Sequence, residues 1–203
     1  MARGAGWRLQ LIIRPRRFFS RRQIFNLYKC QVLSYIESGT PGYYHASRSV
    51  LSSLDRVQQR LLRELGVSAE EALRNYRLAP LQSRRDIAML GMLHRIVLGD
   101  APQQLVDIFP FSHRISAFNT RVQRHDRQFV EHAFRTDRLQ RSAFGLTVVY
   151  NLLPPQVVAC MTVSAFQSRL QMALRNAADQ GVDDWFALLT PGRRIVRAVR
   201  FQS

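Results

Sequence analysis

Between Ser47 and Gly66, apolar residues recur every three or four positions, at Val50, Leu54, Val57, Leu61 and Leu65. With Leu51 and Leu62 beside them and Arg56, Gln59, Arg60 and Arg63 in between, the spacing predicts a two-faced helix lying on a core. Ser47 or Ser49 offers an oxygen to its orphan N-terminal amides, and Gly66 suits the left-handed residue that closes a helix. Upstream, Ser20 with Gln23 makes a capping-box signature. Ile24, Leu27, Tyr28, Cys30, Val32, Tyr35 and Ile36 then predict a helix over 20–37, broken by Gly39, Pro41 and Gly42. Tyr43, Tyr44 and His45 form an aromatic connector, read as covering a core edge rather than stacking on bases.

Downstream, Ser68 and Glu71 predict a short helix through about Arg77 that buries Ala72, Leu73 and Tyr76, ended by Pro80. Residues 82–99 carry a long stripe of Ile87, Leu90, Leu93, His94, Ile96 and Val97, with Met89 and Met92 beside it. His94, a single histidine on that face, reads as a core or rim residue. Asp100 is the expected cap of a short helix with Pro102 in its first turn and Leu105, Val106, Ile108 and Phe109 as its apolar residues. Leu146, Val149, Tyr150 and Leu153 precede Pro154 and Pro155, and a turn with Val157 and Val158 follows. Ser164 is the expected cap of a helix carrying Phe166, Leu170, Leu174 and Ala177, closed near Gly181. A last apolar turn holds Trp185, Phe186, Leu188 and Leu189.

These periods predict an all-α fold, an irregular multi-helix bundle with an arginine-rich connector and basic termini. The expected division is a basic N-terminal extension (1–19), a helical thumb-like domain (20–109), the connector (110–138), a C-terminal helical region (139–192) and a basic tail (193–203). With 203 residues and 46% hydrophobic content, the chain suits one large or two small domains that bury a core.

Charge changes the picture. There are 30 basic against 14 acidic residues, a net +16, and Lys29 is the sole lysine. A planar guanidinium fork matches phosphate, so the bias fits a polyanionic partner, RNA or DNA bound through its backbone; a biased genome yields the same composition. Residues 1–36 hold seven arginines and Lys29 with no acid, whereas 37–108 are nearly neutral. The candidate contacts are therefore Arg14, Arg16, Arg17, Arg21 and Arg22 in the head. In the connector, Arg114, Arg121, Arg124 and Arg127 join them, interleaved with Phe111, Phe118, Phe129 and Phe134. A connector merely anchored by phenylalanines would have the same composition.

Other chemistry is not indicated. Cys30 and Cys160 read as buried free thiols of a reducing compartment. No run of about 18 apolar residues marks a membrane span. Leu9 to Ile13, broken by Gln10, is too short for a signal peptide. The expected location is intracellular, nuclear or cytoplasmic, with mitochondrial import of the arginine-rich, acid-free head as the alternative. His113, His125 and His132 lack cysteines at ligand spacing, so no zinc is expected. No glycine-rich phosphate loop or nucleophile elbow is present, and neither cofactor nor catalytic residue is predicted.

Several blocks carry a resemblance. Leu27-Tyr28-Lys29, Val32-Leu33-Ser34-Tyr35-Ile36-Glu37-Ser38-Gly39, Leu54-Asp55-Arg56-Val57-Gln58-Gln59-Arg60, Leu78-Ala79-Pro80-Leu81-Gln82-Ser83-Arg84-Arg85-Asp86 and Leu98-Gly99-Asp100-Ala101-Pro102 follow in order. Tyr150-Asn151-Leu152-Leu153-Pro154 and Ser164-Ala165-Phe166-Gln167-Ser168-Arg169-Leu170 complete the series. Together, from about Trp7 to Leu174, they resemble the region just C-terminal to the catalytic palm in reverse transcriptases of non-LTR retrotransposons, which usually has Trp in place of Tyr150. The resemblance implies a helical thumb-like and connection region that holds a template and primer duplex.

The polymerase centre of that family needs an aromatic-x-Asp-Asp hairpin and a further Asp, because carboxylates must hold two metal ions. The only Asp-Asp here is Asp183-Asp184, with Gly181 where the aromatic would stand. The expectation is a truncated or relic reverse transcriptase fragment that is no enzyme and binds RNA or DNA without sequence specificity. A structural protein of an RNA-containing assembly, such as a mitochondrial ribosome, and a translated remnant without selected function are the alternatives.

Overall fold

Six helices and the start of a seventh build residues 1–85 of the computed structural model. They are α1 (Ala2–Ile13), α2 (Arg21–Tyr28), α3 (Ser34–Glu37), α4 (Thr40–Tyr43), α5 (Arg48–Leu65), α6 (Ala69–Tyr76) and α7 (Leu81–Val97). A second unit begins at Asp86, within α7, and continues with α8 (Gln103–Ile108), α9 (Asp137–Gln140), α10 (Ala143–Asn151), α11 (Pro155–Val158) and α12 (Val163–Asp179). The structure describes residues 1–112, 125–131 and 136–191. Over these the protein is all-α, with no strand beyond an isolated antiparallel bridge between Phe111 and Phe129. None of the described helices is long and apolar enough to cross a membrane.

In the first unit α5 buries Leu54, Val57, Leu61 and Leu65. Each such side chain contributes about 1.5–3 kcal/mol on leaving water. Val50 is half-exposed in the first turn, so the core stripe begins one turn later than the periodicity suggests. Gly66 closes α5 at φ +63°, a conformation that glycine adopts without a Cβ penalty. Ser47 stands at the N-cap, but its hydroxyl pairs with that of Ser49 at 2.9 Å.

Helix α1 packs on α5, with Ala5, Leu9, Ile12 and Ile13 in the same core. This departs from the expectation of an extension over 1–19: the apolar positions of α1 repeat at helical spacing, and their burial makes the segment part of the unit. Ser20 caps α2 as expected. Its hydroxyl accepts from the Gln23 amide at 3.3 Å, and the Gln23 side chain accepts from the Ser20 amide at 2.8 Å. A π-helical turn, Lys29–Leu33, then joins α2 to α3. Val32 and Leu33 take its core-facing positions while Cys30 is exposed, contrary to the expected burial. The helix ends at Glu37 and is broken before Gly39 as expected, and Pro41 sits in the first turn of the short α4 that follows. Tyr44 is buried and the Tyr43 hydroxyl donates to the Ile36 carbonyl at 3.1 Å, so this connector does cover a core edge.

Gln58 and the terminal nitrogens of Arg85 find partners in this core, whereas the buried Arg85 Nε has none among the described residues. Gln58 donates to the Ala79 carbonyl at 3.0 Å and accepts from the Tyr28 hydroxyl at 3.5 Å. Burial pushes the Tyr28 pKa well above its ordinary value. Arg85 forks onto Asp55 at 2.8 and 3.2 Å and also reaches Gln82, while Arg84 pairs with Glu37.

In the second unit α7 buries Ile87, Met89, Leu90, Leu93, His94 and Ile96. The cap of α12 is Thr162, which accepts from the Ala165 amide at 3.2 Å, two residues before the expected Ser164. Pro102, not Asp100, holds the N-cap of α8. Gly145 is obligatory for a different reason from Gly66: a Cβ there would run into the Gln140 carbonyl. The described parts of 110–138 are no free connector. Ser112 donates to the Gln128 carbonyl at 2.8 Å and Val130 to the Pro110 carbonyl at 2.9 Å. Asn151 of α10 exchanges two 2.9 Å hydrogen bonds with the backbone of Phe129, which is buried. The tail 193–203 lies outside the described residues.

Candidate nucleic-acid interface

The head arginines gather where α1 gives way to α2. Arg14 follows α1, Pro15 turns the chain, Arg16–Phe18 form one 3-10 turn, and Arg21 and Arg22 open α2. All five arginines are exposed. Arg16 lies 3.4 Å from Glu64, an exposed pair of small energetic value. Among the described residues no carboxylate pairs with Arg14, Arg17, Arg21 or Arg22. The Arg17 guanidinium sits 4.8 Å from the centre of the exposed Phe18 ring.

The placement of Arg21 and Arg22 runs against the helix dipole. The first turn of α2 carries no acid, so two cations stand at the positive end of the helix. Each such mismatch costs about 0.3–1 kcal/mol at an exposed terminus. A phosphate at this corner would offset both the dipole and the mutual repulsion of the arginines. By contrast, Arg60 of α5 donates to the Gln10 side chain at 2.6 Å and Arg56 to the Ser52 carbonyl at 3.3 Å, so these cations are already engaged.

Of the connector candidates, Arg127 is exposed in the second unit, while Arg114, Arg121 and Arg124 lie outside the described residues. The phenylalanines beside Arg127 do structural work. Phe129 stacks on Phe111 at 5.2 Å and meets Tyr150 edge-on at 5.2 Å. Asp183 and Asp184 are exposed ahead of the 3-10 turn Trp185–Ala187. Among the described residues no three His, Cys, Asp or Glu side chains gather as a metal set.

A buried polar cluster that sequence reading missed lies in this second unit. His94 stacks on Phe166 at 4.1 Å, its Nδ1 is 2.8 Å from the Tyr150 hydroxyl, and its Nε2 is 2.9 Å from the Cys160 carbonyl. Because a carbonyl only accepts, Nε2 carries the proton and Nδ1 accepts from Tyr150. His125 donates through Nε2 to the Tyr150 carbonyl at 3.1 Å. No spacing signal joins residues 56 apart in sequence; only the helical position of His94 on an apolar face hinted at its burial.

Burial, aided by the positive charge of Arg127, lowers the His94 pKa below its ordinary 6.5, although the bond to Cys160 opposes this. The neutral form is therefore favoured by folding. Its stabilising contribution is complete above pH 6.5 and is lost as pH falls through that value, where the unfolded chain takes up the proton first. The thermal midpoint of the parent is expected to fall more steeply between neutral and mildly acid pH than that of His94→Gln. Parallel pH profiles of the two midpoints would contradict this assignment.

The blocks that carry the sequence resemblance supply much of the internal bracing: Tyr28, Gln58 and Ala79 form one chain of hydrogen bonds, and Asp55 with Arg85 and Glu37 with Arg84 form ion pairs. No protein-family model, curated protein or solved structure matches this chain.

Proposed function

We propose that this chain binds RNA or DNA through its phosphate backbone, without sequence specificity and without chemistry of its own. The observation that carries the reading is the exposed corner of Arg14, Arg17, Arg21 and Arg22, which no acid among the described residues neutralises and which crowds cations at a helix N-terminus. Such a surface positions phosphates but reads no base edge. It fits a thumb-like region of a retroelement reverse transcriptase. The exposed Asp183 and Asp184 beside a helical turn do not supply the hairpin carboxylates that two-metal catalysis requires.

Titration of a labelled oligonucleotide with the purified chain tests the binding. Mixed sequences of equal length are expected to bind alike, with affinity that falls steeply with salt. Binding of one sequence only, or binding indifferent to salt, would overturn the reading. Template-directed nucleotide incorporation is expected to be absent, and any incorporation above a heat-inactivated control would refute the non-enzymatic assignment.

A further inference from the structure

We infer that the outer face of α1 and the turn after it stack unpaired bases, so that the head takes single-stranded in preference to duplex nucleic acid; this rests on the phosphate-binding reading above. Helix α1 commits Ala5, Leu9, Ile12 and Ile13 to the core. Its far side holds Arg3, Trp7, Leu11 and Arg14, spaced four, four and three residues apart, which places them in one row along the helix. Trp7 is 65% exposed in the middle of that row, and Phe18, in the turn beyond, is 72% exposed. Folding leaves most of both side chains in water, yet each stands next to arginines: Trp7 one turn from Arg3, and Phe18 against Arg17.

Rings interleaved with guanidinium groups are the arrangement that tracks a single strand. Charge holds the backbone, and ring faces receive bases whatever their identity. A duplex presents the same phosphates, but its bases already stack on one another and leave the rings unused. An anionic lipid surface also offers phosphates. It would require a broad apolar face sunk into the headgroup layer, and the broad apolar face of α1 is already spent on the core.

The chain has two tryptophans, and the other, Trp185, is only 4% exposed, so fluorescence quenching by an added strand reports on Trp7. The full chain is titrated with oligo-deoxythymidylate, with a duplex of mixed sequence and equal length, and with phosphatidylserine vesicles. Expected are quenching by the single strand, tighter binding of that strand than of the duplex, and an unchanged salt slope when the rings are removed. Trp7→Ala and Phe18→Ala each truncate an exposed ring. Each is expected to weaken single-strand binding about tenfold, as loss of one stacked base does, while duplex binding barely moves.

Equal affinity for strand and duplex, with Trp7 unquenched and the salt slope retained, would overturn the stacking inference and leave the phosphate reading standing. Failure to bind either nucleic acid would overturn both. A spectral shift of Trp7 with vesicles and none with oligonucleotides would overturn the inference in favour of a lipid surface.

Discussion

Leu61→Asp is expected to abolish the cooperative fold of residues 1–85. Leu61 is fully buried on α5, surrounded by the core that α1, α2 and the π turn share. An unpaired carboxylate there costs several kcal/mol, whether it stays charged or is driven to protonate, and the lost apolar contacts add about 2–5 kcal/mol. A domain has only about 5–15 kcal/mol in hand, so the sum exhausts it. Circular dichroism should show loss of helix and of the thermal transition of this unit. Val50→Asp on the same helix is the control: Val50 is half-exposed, and the change should stay within about 0.5 kcal/mol. If both variants unfold alike, or neither does, the placement of the α5 stripe is wrong.

That pair of residues also marks how far the sequence is legible. Spacing treats Val50 and Leu61 as equivalent, and only the packing partners of α5 tell them apart. Helix existence and type follow from the 3.6-residue period, since one face must leave water wherever it occurs, and the Ser20 capping box and Gly66 closure follow from local backbone chemistry. Gln58 is the instructive miss. It lies four residues after Leu54 and three before Leu61, squarely on the stripe, and a polar residue there is tolerable only because Tyr28 and the Ala79 carbonyl complete its hydrogen bonds. Those partners are set by tertiary structure. For the same reason α1 was legible as a basic segment but not as a core helix, because charge counting hides a short apolar stripe among its arginines.

The candidate site divides along similar lines. Charge counting located the head arginines, and the structure adds that Arg16 already has Glu64 nearby while its neighbours do not. Interleaved phenylalanines in 110–138 suggested bases as partners. Phe111 and Phe129 instead serve the second unit, since an apolar ring gains more in a core than on a wet surface. Trp7 and Phe18, the two most exposed tryptophan or phenylalanine rings among the described residues, carry no such signal in the sequence, because composition alone does not reveal which ring a core claims.

Changing Arg14, Arg16, Arg17, Arg21 and Arg22 together to Ser is expected to cause the largest functional loss. None of the five is buried, and Ser20 and Gln23 still cap α2, so the fold should persist. Each phosphate contact releases counterions, about 0.7 per contact on a single strand and 0.9 on duplex DNA. Removal of five contacts should therefore lower the slope of log affinity against log salt by about 3.5 units on a single strand and about 4.5 on duplex DNA. The loss should be uniform across sequences, because phosphate contacts carry no base information. Arg56, Arg60 and Arg63 changed together to Ser should matter less: Arg56 and Arg60 are held by Ser52 and Gln10, and acids balance this neighbourhood.

The salt dependence of oligonucleotide binding, measured side by side for the parent and the five-arginine variant, tests the central claim most directly. A steep parent line and a variant line flatter by several units, with helix content unchanged, is the predicted result. Superimposable lines would contradict it, and would make the exposed arginine corner a solvated face with no part in binding.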